Sequence, residues 1–341
     1  MAKELNIICT FDLTDEQRKR ILGVSDRVRL AVIPAAKAED VPEARWAKAD
    51  VLYTLNVLPD PDKAPNLKWV QFNSAGMDRF LDHPLLHRQD ISATTMSGVI
   101  TGQIAEYVLM AMLAFGQQLP KLDQLKAAHT WPSENEKCQG LMPRELRHST
   151  VGILGYGSIG RQVARLLQPF GAKVLAAKKD VMHPEDTGYT LEGMGDPHGD
   201  FFDRLYPIEA LHSLLEESDF VVVALPLTEE TYHLVDEMAF DSMKPTAYLI
   251  NVGRGELVDQ DALVTALREK KVAGAALDVF EEEPLPADNP LWDFKNVILS
   301  PHIAGLSRSL REETLSLFRE NINRFLAELP LYNRVELGKG Y

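Results

Sequence analysis

The ten residues Val-Gly-Ile-Leu-Gly-Tyr-Gly-Ser-Ile-Gly, numbers 151–160, decide the fold of this chain. Their apolar start predicts a buried strand, and Gly-x-Gly-x-x-Gly ahead of a helical pattern over 159–168 is typical of a dinucleotide-binding turn. Gly155 permits the tight turn, Gly157 lets the backbone approach a pyrophosphate, and Gly160 lets helix and strand pack closely. The helix N-terminus adds N–H groups and a partial positive charge. A purely structural glycine turn is the alternative.

Downstream of this motif, five more apolar runs occur at residues 174–177, 220–225, 247–250, 273–277 and 297–299. Continuous apolar runs indicate parallel strands covered on both faces, and helical patterns at 209–217 and 259–270 fall between them. We therefore favour dinucleotide binding over a structural turn and predict a Rossmann domain over residues 102–304.

One segment interrupts the alternation of strands and helices. Residues 181–207 contain four glycines and three prolines, and they are too long for an ordinary strand–helix connection. They are predicted to form either a surface loop or a flap near the adenosine end of the cofactor. Their histidines and aspartates lack the fixed spacing of a metal site, so we predict no metal.

The N-terminal third shows the same alternation, with short apolar runs at 6–11, 28–33, 51–55, 68–72 and 91–94. A helical pattern at 102–119 and an irregular stretch at 121–147 follow. The helical segment 306–329 has no second sheet after it, so we expect it to pack on the first domain. The predicted fold class is α/β, with a flavodoxin-like substrate domain (1–101 and 305–341) and the Rossmann domain, both doubly wound, facing each other across a cleft.

Composition restricts the class of partner. The 341 residues include 36 Lys and Arg against 50 Asp and Glu, a net charge of −14, which disfavours nucleic acid and anionic lipid. The longest apolar run, 107–115, is too short to span a membrane, and the N-terminus does not resemble a signal peptide. Two cysteines, Cys9 and Cys138, fit a reducing cytoplasm. A small-molecule partner is expected.

Three polar side chains follow neighbouring predicted strands: Arg254 after 247–250, Glu283 after 273–277 and His302 after 297–299. Each has an ordinary alternative, because Arg254 could cap a carbonyl, Glu283 could be solvated and His302 could be a plain loop histidine. Open α/β sheets bind ligands at the carboxyl ends of their strands. We therefore expect these three residues to converge on one substrate.

The pair Lys178-Lys179 ends the second strand of the predicted Rossmann domain. Enzymes that use NAD usually carry an acidic residue there, which accepts the ribose 2′-hydroxyl. Two ammonium groups suit a 2′-phosphate instead, so NADP is favoured over NAD. The alternative is a solvated basic pair with Asp180 as the ribose contact.

The chain resembles the D-isomer-specific 2-hydroxyacid dehydrogenase family in three complete motifs. Asn-x-x-Arg-Gly-x-x-Val-Asp is found at 251–259, Asp-Val-Phe-x-x-Glu-Pro at 278–284 and Ser-Pro-His-x-Ala-Gly at 300–305. The likeness covers almost the whole chain, including Asn-Ser-Ala-Gly-Met-Asp at 73–78. The chain departs from the family at Lys178, which stands where members that use NAD carry an acid, and in the greater length of loop 181–207.

The resemblance implies a catalytic set of Arg254, Glu283 and His302. It also implies that Asp278 accepts a hydrogen bond from the nicotinamide carboxamide. Substrate-carboxylate contacts are implied at Ser74, Ala75 and Gly76, the last two through their N–H groups. Further cofactor contacts are implied at Ser158, Ile159, Pro226, Thr231, Val252, Gly253, Ala304 and Gly305.

The implied reaction is reversible hydride transfer between nicotinamide C4 and C2 of a 2-oxo acid. His302 would deliver the proton, Glu283 would hold the other ring nitrogen, and Arg254 would polarise the carbonyl. We expect reduction of glyoxylate or hydroxypyruvate. A non-catalytic NAD(P)H-sensing scaffold like the family's corepressors and a phosphite-type dehydrogenase are the alternatives.

Family resemblance also implies a two-fold dimer contact formed by helix 102–119 and the stretch 121–147. A homodimer with Trp131 at or near the interface is therefore expected. Burial of this region within one chain is the alternative.

Overall fold

The computed structural model describes residues 3–186 and 188–336. The chain divides into two compact units, the first formed by Met1–Ile100 with Ser307–Tyr341 and the second by Thr101–Leu306. Each unit is built around a wholly parallel sheet, so the predicted α/β class with two doubly wound sheets is confirmed. In the described residues, no helix is both long enough and apolar enough to cross a membrane.

The first unit contains a five-stranded sheet in the order β2-β1-β3-β4-β5, which is the flavodoxin-like order. Its strands are β1 (Leu5–Cys9), β2 (Val28–Val32), β3 (Val51–Thr54), β4 (Trp69–Phe72) and β5 (Ser92–Thr94), and its helices are α1 (Asp15–Leu22), α2 (Glu43–Trp46) and α10 (Leu310–Leu326).

Helix α10 packs on the sheet of this first unit. The Phe318 ring stacks on Tyr53 of β3 with centroids 3.9 Å apart, and the Asn321 amide donates to the buried Gln71 side chain at 3.1 Å. The last described helix is therefore part of the core built by the N-terminal residues.

The second unit contains a seven-stranded parallel sheet in the order β12-β11-β10-β9-β6-β7-β8. Its strands are β6 (Thr150–Leu154), β7 (Lys173–Lys178), β8 (Arg204–Pro207), β9 (Phe220–Val223), β10 (Tyr248–Asn251), β11 (Gly274–Leu277) and β12 (Val297–Leu299). Its helices are α3 (Thr101–Gly116), α4 (Leu119–Ala127), α5 (Glu134–Gly140), α6 (Ser158–Leu167), α7 (Leu211–Glu217), α8 (Glu237–Ser242) and α9 (Gln260–Arg268). The strand order reverses direction between β6 and β9, which is where such sheets bind dinucleotides.

Two expectations about this unit were wrong. The segment 181–207 is not a loop throughout, because its last four residues form the edge strand β8 and pair with β7. The stretch 121–147 is not irregular throughout, because it contains most of α4 and all of α5. Helix α5 begins at a capping box in which the Ser133 hydroxyl accepts from the Glu136 N–H and the Glu136 side chain accepts from the Ser133 N–H.

Candidate active site

The glycine-rich turn after β6 has the shape expected for a pyrophosphate cradle. Gly155 has φ +100°, and a Cβ there would lie 2.6 Å from the Ala224 carbonyl oxygen. A Cβ on Gly160 would lie 2.2 Å from the Gly155 oxygen, whereas a Cβ on Gly157 would meet nothing within 4 Å. Protein packing therefore requires the first and third glycines, and the space beside Gly157 is open at the N-terminus of α6. This geometry fits a bound dinucleotide.

Lys178 ends β7, the strand that pairs with β6, and its ammonium donates to the His183 carbonyl. Burial lowers the pKa of Lys178, and the positive charge of Arg161 lowers it further. The Lys179 ammonium instead pairs with the Glu230 carboxylate at 2.5 Å on the exposed surface. The two lysines therefore differ, since Lys179 is in direct contact with a carboxylate whereas Lys178 bonds to a carbonyl, with the charges of Asp180, Glu185 and Asp186 acting on it from farther away.

Asp180, the alternative ribose contact, has a partner of its own. Its carboxylate lies 2.7 Å from the Nδ1 atom of His183 and accepts the Met182 N–H at 3.0 Å. The hydrogen bond with His183 lowers the pKa of Asp180 and raises the pKa of His183. A ribose hydroxyl would have to share this carboxylate with the imidazole.

Loop 181–207 is anchored to the glycine-rich turn through Asp196. This buried carboxylate accepts the Tyr156 hydroxyl at 2.6 Å and the N–H groups of Gly199, Asp200 and Phe201 at 3.0, 2.9 and 3.0 Å. Burial opposes ionisation of Asp196, but these bonds outweigh it, so its pKa lies below the usual range. Asp196 thus organises the loop.

Arg161 of α6 provides the second anchor of this loop. Its guanidinium is buried, donates to the carbonyls of Asp196 at 2.6 Å and Glu185 at 3.2 Å, and lies 4.8 Å from the Tyr156 ring centroid. Sequence patterns missed Tyr156, Arg161 and Asp196 as a group, although Tyr156 lies inside the glycine motif and Arg161 directly follows it.

The three predicted catalytic residues follow adjacent strands of one sheet, Arg254 after β10, Glu283 after β11 and His302 after β12. The Arg254 loop rests against the segment that leads to Glu283, because a Cβ on Gly255 would lie 1.9 Å from the Phe280 carbonyl carbon. Within that loop, the Arg254 guanidinium donates to the Gly253 carbonyl at 2.8 Å.

Glu283 and His302 form a direct pair. The Glu283 Oε2 atom lies 2.8 Å from the His302 Nδ1 atom, and the Phe280 N–H donates to Glu283 Oε1 at 3.1 Å. An ionised carboxylate only accepts, so Nδ1 carries the hydrogen and Nε2 is the ring atom available for proton transfer. His302 has φ +54°, a left-handed conformation that few residues adopt.

Asp278 at the end of β11 is almost fully buried and holds the loop that carries His302. Its Oδ1 atom accepts from the Ser300 hydroxyl at 2.6 Å and the Ile303 N–H at 2.9 Å. Its Oδ2 atom accepts the Ala304 N–H at 2.9 Å. A carboxylate can accept about four hydrogen bonds, which is compatible with a further bond from a nicotinamide carboxamide.

The other predicted cofactor residues lie at the same edge of this sheet. The Thr231 hydroxyl closes the turn after β9 by donating to the Pro226 carbonyl at 2.7 Å. Val252 and Gly253 directly follow β10, and Ser158 and Ile159 begin α6. Ala304 and Gly305 follow His302 in the loop after β12.

The predicted substrate loop belongs to the first unit and follows β4. The Ser74 hydroxyl donates to the Gly76 carbonyl at 2.8 Å, and the Tyr53 hydroxyl holds Asn73 at 2.8 Å. Across residues 3–186 and 188–336, the N–H groups of Ala75 and Gly76 have no hydrogen-bond acceptor. Two such N–H groups in sequence can bind an anion.

One further cluster, His233 with Asp259 and Glu281, has its ligand-type atoms within 4.8 Å of one another. Glu281 lies 3.0 Å from Nε2 of the imidazole, and Asp259 lies 3.8 Å from Nδ1. The two carboxylates therefore make their shortest contacts with different ring nitrogens. Absence of a bound metal stays a prediction.

The chain is similar to known proteins in both sequence and structure. The family profile described as D-isomer specific 2-hydroxyacid dehydrogenase, NAD binding domain, matches residues 109–304. The glyoxylate reductase of Thermofilum pendens is 38% identical over 270 residues, covering 79% of this chain and 75% of that protein. That of Thermococcus gammatolerans is 36% identical over 266 residues, covering 77% and 75%.

Two solved structures share the whole architecture. A D-isomer specific 2-hydroxyacid dehydrogenase from Xanthobacter autotrophicus in complex with NADPH superposes with a TM-score of 0.81 at 28% identity, covering all of both chains. An NADPH-dependent glyoxylate/hydroxypyruvate reductase from Sinorhizobium meliloti in complex with NADP gives 0.77 at 25% identity, covering 99% of this chain and 100% of that one.

Proposed function

The chain belongs to the D-isomer specific 2-hydroxyacid dehydrogenase family, and we propose that it reduces a short 2-oxo acid to the D-2-hydroxy acid with NADPH. The observation that carries this proposal is the pair of Glu283 and His302 at 2.8 Å, which joins the loops after β11 and β12 beside the loop after β10 that carries Arg254. These residues provide a proton donor, the carboxylate that orients it and a fixed positive charge.

His302 is proposed as the general acid. Because Glu283 accepts from Nδ1, the Nε2 atom is left to donate a proton to the substrate oxygen as negative charge develops there. Reduced nicotinamide supplies the hydride that reaches C2. One hydride and one proton convert the C2 carbonyl into the hydroxyl of the 2-hydroxy acid.

Arg254 is proposed to bind the substrate through its guanidinium. A guanidinium stays charged and presents two parallel N–H donors, so it can contact the carboxylate and polarise the neighbouring carbonyl. The bond from Asn251 to the Arg254 carbonyl, at 2.8 Å, fixes the backbone from which this side chain projects.

The remaining assignments of the substrate and cofactor residues are proposals of the same kind. We propose that Ala75 and Gly76 bind the substrate carboxylate, which is supported by their N–H groups lacking other acceptors in the described residues. Lys178 is proposed to contact a 2′-phosphate, supported by its place at the end of β7 and by its bond to a carbonyl rather than to a carboxylate. Two structural relatives were solved with NADPH or NADP.

Glyoxylate and hydroxypyruvate are the proposed substrates. Several relatives are named glyoxylate reductase, and the Sinorhizobium meliloti structure is of a glyoxylate/hydroxypyruvate reductase. We place the protein in the cytoplasm, consistent with its two cysteines forming no disulfide. A homodimer is proposed because apolar side chains of α3 and α4 are exposed and Trp131 is 87% exposed.

The proposal is tested by following NADPH oxidation with glyoxylate, hydroxypyruvate and pyruvate, with NADH in parallel. We expect turnover with at least one of the first two and a loss of several orders of magnitude in His302→Asn, with NADPH binding retained. Tight NADPH binding without turnover on any 2-oxo acid would contradict the proposal and support a sensing role.

A further inference from the structure

Tyr107 of α3 lies outside the three family motifs, yet hydrogen bonds through Ser300 and Asp278 join it to the loop of His302. The Tyr107 and Ser300 hydroxyl oxygens are 2.8 Å apart, and Ser300 Oγ is 2.6 Å from Asp278 Oδ1. A serine hydroxyl has one hydrogen and an ionised carboxylate only accepts. Ser300 therefore donates to Asp278, and Tyr107 donates to Ser300.

Burial keeps Tyr107 in the form that can donate. It raises the pKa of the phenol, and the negative charge of Asp278 adds to this rise. The helix that carries Tyr107 is itself fixed on the sheet, because Phe115 stacks on Tyr248 of β10 with ring centroids 4.3 Å apart. The chain of bonds therefore starts from a firmly packed element.

At its other end, this series of hydrogen bonds reaches the backbone on both sides of the His302 side chain. The His302 N–H donates to the Asp278 carbonyl, and the next two N–H groups, of Ile303 and Ala304, donate to the Asp278 carboxylate, all at 2.9 Å. These bonds hold His302 at φ +54°. A left-handed histidine persists only where its surroundings fix it.

We propose that Tyr107 is a positioning residue for the proposed reduction, acting through Ser300 and Asp278 to hold His302 where its imidazole meets the substrate. This inference rests on the proposed role of His302 as general acid. Tyr107 itself makes no contact with the imidazole in this chain of bonds, so its effect on catalysis is indirect.

The test compares Tyr107→Phe and Ser300→Ala with a matched control, Tyr206→Phe. Tyr206 is a buried tyrosine of β8 whose hydroxyl lies 2.9 Å from the Glu217 carboxylate, so the control removes a comparable bond elsewhere in the same unit. We expect kcat for 2-oxo acid reduction to fall about three- to tenfold in Tyr107→Phe, which matches the loss of one net hydrogen bond. The fall should be at least as large in Ser300→Ala, which loses the bonds to both Tyr107 and Asp278. The KM for NADPH should stay within about twofold, and the control should resemble wild type.

A double-mutant cycle distinguishes positioning from general stability. In a His302→Asn background, Tyr107→Phe should cause no further loss of the residual rate, because the group it positions is gone. The same loss in both backgrounds, or a wild-type kcat in Tyr107→Phe, would overturn the inference while leaving the proposed function intact. A wild-type protein that reduces no 2-oxo acid would overturn both.

Discussion

Replacement of Lys178 by glutamine should remove most of the preference for NADPH over NADH. The ammonium of this residue ends β7 and bonds to the neutral His183 carbonyl, so its charge is available to a 2′-phosphate. Glutamine removes the charge but keeps an N–H donor for that carbonyl. The change therefore tests charge with little disturbance of the loop.

The size of the effect follows from the environment of Lys178. Fully exposed ion pairs contribute about 0.2–1 kcal/mol, whereas charge-assisted hydrogen bonds contribute about 1.5–3 kcal/mol. Lys178 is half-buried, and this burial lowers the pKa of its ammonium. The larger range therefore applies, and kcat/KM for NADPH should fall roughly ten- to a hundredfold with little change for NADH.

Steady-state kinetics at saturating 2-oxo acid measures kcat/KM for NADPH and kcat/KM for NADH. Lys179→Gln is the matched control, since the Lys179 ammonium is already paired with Glu230 at 2.5 Å and should matter less. Lys178→Asp should reduce NADPH use further through repulsion, and high salt should diminish the wild-type advantage. A wild-type preference for NADH, or an unchanged ratio in Lys178→Gln, would refute this reasoning and favour Asp180 as a ribose contact.

Three further predictions concern the substrate charge, the glycine turn and assembly. Arg254→Lys should lower kcat/KM by orders of magnitude with an unchanged circular dichroism spectrum, because lysine loses the two-donor geometry; near-normal kinetics would remove Arg254 from the site. Gly155→Ala should weaken NADPH binding, measured by calorimetry, more than tenfold and destabilise the fold by about 1–3 kcal/mol, since its Cβ would lie 2.6 Å from a carbonyl oxygen. Unchanged NADPH binding would contradict the role of the glycine turn in holding the pyrophosphate. Light scattering at micromolar concentration should show a homodimer, weakened by Trp131→Ser, and a monomeric wild type would exclude it.

Sequence patterns predicted the buried strands well, because a short continuous apolar run between two helical segments is best explained as a buried parallel strand. Strand β8 was missed because only two apolar residues lie between Arg204 and Pro207. It is an edge strand that pairs on one side only, so its sequence lacks the continuous apolar run of the central strands. Helix α5 was missed although Ser133 and Glu136 have the spacing of a capping box, a signal that was present in the sequence.

Prediction of the site was limited by distance along the chain. Arg254, Glu283 and His302 stand out because each follows an apolar run, which places all three at one edge of a parallel sheet. Tyr107 and Ser300 are 193 positions apart, and nothing local in either residue signals their contact. The contact between Asp196 and Tyr156 is hard to predict for the same reason, since the two residues lie 40 positions apart. Contacts of this kind depend on packing that only the folded chain specifies.

Hydride transfer from reduced nicotinamide to C2 of a 2-oxo acid can be followed by isotope labelling. Hydroxypyruvate would be incubated with the enzyme and NADPH that carries deuterium at the transferred C4 position, and the product analysed by chiral chromatography and mass spectrometry. We expect D-glycerate with one deuterium at C2. Formation of the L-isomer, of D-glycerate without deuterium, or of no product from any 2-oxo acid would contradict it.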